Sequence, residues 1–100
     1  MSEAHKYVSL MRLTQKGLTE LTDSAKRRKV SEDRVAELGG RSIAFYALLG
    51  IYDFMQVFEM PSNEAMMQYV LTARRDGHVE PLILPAFDTE TYGRILNAFN

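Results

Sequence analysis

Apolar residues recur at every second position from Arg41 to Met60, on either side of Gly50-Ile51. That alternation predicts two strands, and Gly at the first central position of a two-residue loop predicts a tight type II′ hairpin between them. Such a loop pairs Leu49 with Tyr52 and Leu48 with Asp53, and sorts the side chains onto two faces. One face carries Ile43, Phe45, Ala47, Leu49, Tyr52, Phe54, Phe58 and Met60, interrupted by Arg41 and Gln56. The other carries Ala44, Tyr46, Leu48, Met55 and Val57, with Asp53 near the turn and Ser42 and Glu59 at the open end. A sheet with one solvated face alternates apolar and polar cleanly, and this hairpin does not. Both faces are therefore expected to be covered, one by the chain's own helices and the other by a second copy.

The remaining pattern supplies the helices. Tyr7–Leu13 reads as a first strand, after a flexible N-terminal segment over residues 1–6. Leu18, Leu21, Ala25, Val35 and Leu38 fall at roughly helical spacing, which places a helix from about Ser24 to Leu38 after a looser turn. Gly39-Gly40 ends it. The hairpin strands span about Arg41–Leu49 and Tyr52–Met60, and Pro61 stops the pairing. Ser62 is a good N-cap for a second helix, about Asn63–Arg75, with a stripe of Ala65, Met66, Tyr69, Val70 and Ala73. Gly77 stops that helix. Val79–Phe87 reads as a fourth strand, and Pro81 and Pro85 suit it to a sheet edge. Asp88 can cap a short terminal helix carrying Tyr92, Ile95, Leu96 and Phe99. The order β-α-β-β-α-β predicts an α+β, ferredoxin-like domain over residues 7–100: a four-stranded antiparallel sheet with two helices on one face.

Composition narrows the function more than it names it. The chain has 100 residues, 46% of them hydrophobic and 25% charged, enough for one domain with a real core. A net charge of −1 provides no overall field to recruit nucleic acid or an anionic membrane, so neither is expected as a partner. The absence of cysteine removes disulfides, thiolate nucleophiles and cysteine zinc sites, and is compatible with a cytoplasmic protein. The Ile43–Met60 run contains Gly50, Asp53, Gln56 and Glu59, which argues against a membrane span.

These features resemble the GYD-domain family, named for a Gly-Tyr-Asp signature, in its Gly-X-Tyr-Asp form: Gly50, Ile51, Tyr52 and Asp53. Thr14, Gly17, Arg27, Gly39-Gly40, Tyr46, Glu59, Pro61, Gly77 and Val79 extend the likeness over about residues 7–88. The resemblance implies a dimeric α/β-barrel type of ferredoxin-like fold and no particular reaction. A looser similarity runs to the effector-sensing domains of leucine-responsive/AsnC-type regulators, which bind small molecules at subunit interfaces. Fold-level likeness of that kind supports at most a stand-alone ligand-binding module.

Candidate chemistry centres on Asp53 and Tyr46. Asp53 can act as a general base or ligand anchor, with Tyr46 donating a hydrogen bond, or it can hold the turn by accepting backbone hydrogen bonds. Tyr46, Asp53 and Met55 together outline an expected ligand pocket near a subunit interface, and Arg27 can reach an acidic ligand or Glu59. His5 and His78 lack metal-ligand spacing, and neither a metal nor a cofactor is expected. His78 suits the negative end of the second helix, and His5 is expected in the mobile terminus. The Lys26-Arg27-Arg28-Lys29 run is balanced by Glu20, Asp23, Glu32, Asp33 and Glu37, as on a solvated helix face. The leading expectation is a homo-oligomeric small-molecule-binding module. A cofactor-independent enzyme using Asp53 and Tyr46 is the alternative, and a purely structural interaction protein the third reading.

Overall fold

The structure is a computed structural model that describes residues 5–100. Its elements are β1 (His5–Leu13), α1 (Gln15–Thr19), a 3-10 turn (Leu21–Asp23), α2 (Ser24–Glu37), β2 (Arg41–Ala47), β3 (Phe54–Met60), α3 (Asn63–Asp76), β4 (Val79–Ala86) and α4 (Thr89–Leu96), which runs into a 3-10 turn at Asn97–Phe99. The strands form a single antiparallel sheet in the order β2-β3-β1-β4. This is the ferredoxin-like α+β arrangement. Of the N-terminal segment expected to be flexible, residues 1–4 lie outside the described residues. His5 and Lys6 belong to β1, where the His5 ring stacks 6.4 Å from that of Tyr7.

Local signals place the helices where the sequence puts them. The Ser62 hydroxyl accepts from the Ala65 N–H at 3.1 Å, and the Asp88 carboxylate accepts from the Thr91 N–H at 2.8 Å, so each caps its helix. The turn expected before α2 contains a short helix, α1, capped by Thr14, whose hydroxyl accepts from the Gly17 N–H at 3.1 Å. Thr14 also donates to the Gly77 carbonyl at 2.5 Å, and its N–H to the His78 carbonyl at 3.1 Å, stitching the end of β1 to the α3–β4 loop. Gly17 is required there, since a Cβ would sit 2.1 Å from the His78 carbonyl oxygen. As the prolines suggest, β4 lies at a sheet edge.

The hairpin register follows the expected pairing from Ala47–Phe54 to Ala44–Val57 and then slips by one residue at a β-bulge between Ser42 and Ala44. Beyond the bulge Ser42 faces Phe58 and Arg41 faces Glu59. Ser42 therefore joins the helix-covered face and Arg41 the open one, the reverse of the uninterrupted alternation. The turn is also wider than two residues. Pairing ends at Ala47 and Phe54, and the Leu48 N–H closes the loop on the Asp53 carbonyl at 2.8 Å. Asp53 also bonds to β1: its N–H donates to the Met11 carbonyl at 2.8 Å, and its carboxylate accepts from the Leu13 N–H at 2.8 Å. Gly50 supplies the positive φ, 122°, that the loop tip needs.

Both long helices cover one face of the sheet. Tyr7, Phe58 and Met60 from the strands pack with Val35 of α2 and with Ala65, Met66, Tyr69 and Val70 of α3. Phe58 and Met60 are wholly buried, and each such side chain contributes about 1.5–3 kcal/mol. The core is concentrated under α3 and the C-terminal half of α2, where Val35 is the only buried residue that α2 contributes. No helix among the described residues is long and apolar enough to cross a membrane.

Candidate functional site

Small side chains open a space beneath the N-terminal half of α2. Ser9 of β1, Ser24, Ala25 and Ser31 of α2, and Ala73 of α3 stand where larger residues would close the helix onto the sheet. The result is a cavity of about 310 Å³. Met11, Phe54 and Phe45 complete its floor, and Val30 and Tyr69 its sides. The Phe45 and Phe54 rings lie 5.5 Å apart, tilted by 34°.

The polar groups around this space are nearly all engaged with one another. The Tyr69 hydroxyl pairs with the Ser31 hydroxyl and approaches Gln56 Oε1 at 3.4 Å, while Gln56 Nε2 donates to the Ser42 hydroxyl at 3.4 Å. Burial pushes the Tyr69 phenol above its ordinary value, against the opposing effects of Ser31 and Arg34. Arg34 is ion-paired with Asp76 at 2.5 Å. Arg27 donates to the Glu20 carbonyl at 2.7 Å and the Ser24 hydroxyl at 3.2 Å, so it fastens the start of α2. It does not reach Glu59, which is taken by Lys6 at 2.7 Å and Arg41 at 3.2 Å. At the rim, the Arg28 guanidinium lies over the Phe45 ring at 5.6 Å and pairs with Glu32 at 3.5 Å. His78 faces Glu20 across 3.4 Å. Two groups stand apart: Lys26 lines the space with no hydrogen bond or ion pair of its own, and Ser9 is 1% exposed, its hydroxyl the one buried side-chain oxygen or nitrogen without a partner among the described residues.

A space with apolar walls and basic side chains at its edge is suited to hold a small molecule chiefly by burial. No group of His, Cys, Asp or Glu among the described residues could hold a metal ion.

The residues singled out from the sequence divide between two sides of the sheet. Tyr46 is 55% exposed on the open face, opposite Met55 in the register. Asp53 sits at the turn end of β3, its carboxylate on the Leu13 N–H. Arg27 lies on the helix-covered side, at the cavity. The structure thus brings Tyr46 and Met55 together and separates Arg27 from them. Sequence reasoning missed Ser9, Phe45, Phe54, Gln56 and Tyr69 as a group. A signal did exist, since Gln56 and Ser9 are polar residues at positions that face a core.

The model of the GYD domain matches residues 7–96. The chain belongs to the GYD-domain family. No curated protein gives a significant match. In this GYD domain the signature turn is bound to the end of β1 at two further points: Arg12 Nε donates to the Ile51 carbonyl at 2.7 Å, and the Arg12 guanidinium lies 5.5 Å from the centroid of the Tyr52 ring. Together with the Asp53–Leu13 bond, these contacts give the signature residues a physical role in joining the hairpin tip to the neighbouring strand.

Proposed function

We propose that this GYD domain is a homo-oligomeric small-molecule-binding module, with the ligand in the cavity under α2 and a second copy on the open face of the sheet. The observation that carries the reading is the 310 Å³ cavity, with apolar walls and basic side chains at its edge. The pocket expected around Tyr46, Asp53 and Met55 is thereby moved to the other side of the sheet, and Arg27 alone of that set borders it.

Self-association draws on the open face. Val8, Leu10, Met55 and Val57 are half-buried at its centre, and Leu82 and Leu84 are 43% and 40% exposed along β4. A contiguous apolar surface of this kind on an antiparallel sheet calls for cover. The bond from the Leu13 N–H supports turn-holding by Asp53 over general-base catalysis, because it gives the carboxylate a structural partner.

Native mass spectrometry of gently purified protein tests both halves. A dimer or a multiple of it carrying non-covalent mass is expected. Ala73→Phe, which fills the cavity from α3, is expected to lose that mass and keep the oligomer. A monomer overturns the self-association. Retention of the extra mass by a folded Ala73→Phe variant overturns the placement of the site.

A further inference from the structure

The charges at the edge of the cavity say more about the occupant than its volume does. Resting on the cavity reading above, we infer that the ligand is an amphipathic organic anion, its apolar body against the sheet and its acid group at the open edge, held by Lys26 and Arg27.

The body follows from the floor. Met11 and Tyr69 are buried there, and Leu13, Phe45 and Phe54 are half-buried. An apolar cavity of about 150 Å³ accommodates a single benzene ring, and this one, at about 310 Å³, is roughly twice as large. The Phe45–Phe54 pair offers ring faces and edges to an aromatic or other bulky apolar group. Ser9 Oγ is closed off from the space and takes no part.

The orientation follows from where polarity rises. Lys26 and Arg28, on the first two turns of α2, are exposed, and Arg27 and Arg34 are half-buried. An acid group at this edge keeps part of its hydration, so it avoids the cost of burying an ion whole. The apolar body meanwhile leaves water for the floor.

The sign of the charge follows from the inventory of ions. The lining carries Lys26, Arg27, Arg28, Arg34 and His78 against a single carboxylate, Asp76. Asp76 is taken by Arg34. Arg28 pairs with Glu32, and Glu20, outside the lining, turns its carboxylate to His78. Two cations are left without a counter-ion. Lys26 has no hydrogen bond or ion pair, and Arg27 bonds only to neutral oxygens, the Glu20 carbonyl and the Ser24 hydroxyl. Its guanidinium retains further N–H donors, in the planar fork that suits an oxyanion. A cationic ligand would meet like charge at this edge, and a neutral one would leave both cations unused. An anion meets complementary charge without displacing any existing pair.

Calorimetric titration of the full chain with naphthalene, 2-naphthoate, 2-naphthyl phosphate and 2-naphthylmethylammonium at neutral pH tests this. Naphthoate or naphthyl phosphate is expected to bind about tenfold or more tightly than naphthalene, the gain from one charge-assisted contact. The tighter of the two anions identifies the acid group, and the ammonium compound is expected to bind weakest. Raising salt from about 20 mM to about 500 mM should weaken the anions severalfold and leave naphthalene nearly unchanged. Lys26→Glu, at an exposed position that the fold does not rely on, should weaken naphthoate about tenfold and change naphthalene by less than about twofold. Naphthalene or the ammonium compound binding as tightly as both anions overturns the inferred class and leaves the cavity as the site. Anion binding unchanged in Lys26→Glu overturns the role of the basic edge. If no probe binds, or if a folded Ala73→Phe variant binds naphthalene and naphthoate as the wild type does, the cavity reading itself falls, and this inference with it.

Discussion

Replacing Ser9 by Ala should make the ligand-free protein more stable. The side chain is 1% exposed and its hydroxyl has no protein partner, so folding removes it from water without replacing the lost hydrogen bonds. An orphaned polar group of this kind costs about 1–3 kcal/mol. Alanine removes the oxygen and keeps the Cβ, at the expense of slightly more empty space beside an existing cavity. The net gain should be about 1 kcal/mol, which for a chain of this size raises Tm by about 4–8 °C. Urea unfolding followed by far-UV circular dichroism is the appropriate assay, since the chain has no tryptophan to report fluorescence. The midpoint should rise with the slope unchanged, because the surface exposed on unfolding is the same. A loss of about 1 kcal/mol or more would refute the reasoning. It would mean that the hydroxyl helps hold the fold together.

Three further outcomes test the frame around the cavity. Gly17→Ala places a Cβ 2.1 Å from the His78 carbonyl, backbone against side chain with no flexible atom to yield, and should cost about 3 kcal/mol in the same urea assay. Asp53→Ala strands the Leu13 N–H and should cost about 1–3 kcal/mol, whereas Asp53→Asn, which keeps an oxygen acceptor, should lose less. The Glu59 carboxyl is held below its ordinary value of 4.5, first by the hydrogen bond from Lys6 and then by Arg41. Its contribution to stability is therefore fully present above that pH and disappears as pH falls through the lowered folded-state value. Denaturation midpoints measured over this acid range should fall less steeply in Glu59→Gln than in the wild type. Parallel pH profiles would show that the bridge to Lys6 and Arg41 contributes nothing.

Much of the fold is legible residue by residue because its signals are local. Ser62 and Asp88 cap their helices through their own hydroxyl and carboxylate, and Gly77 closes α3 in the left-handed conformation. The prolines of β4 mark an edge. The register near the turn is legible for the same reason, since the alternation of Ala44 to Ala47 against Phe54 to Val57 leaves one arrangement of faces. The bulge between Ser42 and Ala44 is not, because an extra residue in the backbone leaves no mark on a pattern read two positions at a time. Nor is the wider hairpin loop, which depends on Asp53 bonding to a strand distant in sequence. The cavity is harder still. It arises from small residues on separate elements, and Ala25, Ser31 and Ala73 do not stand out alone. Only Gln56 and Ser9, polar residues at core-facing strand positions, pointed toward it.

Whether the cavity or the open face takes up a small apolar molecule is decided most directly by methyl-resolved NMR during titration with naphthalene. Met11, Val30 and Ala73 report on the cavity, and Leu10, Met55, Leu82 and Leu84 on the open face. Saturable shifts confined to Met11, Val30 and Ala73 are expected. Shifts centred on Leu10, Met55, Leu82 and Leu84, with the cavity methyls unmoved, would contradict the assignment and return the site to the surface that carries Tyr46.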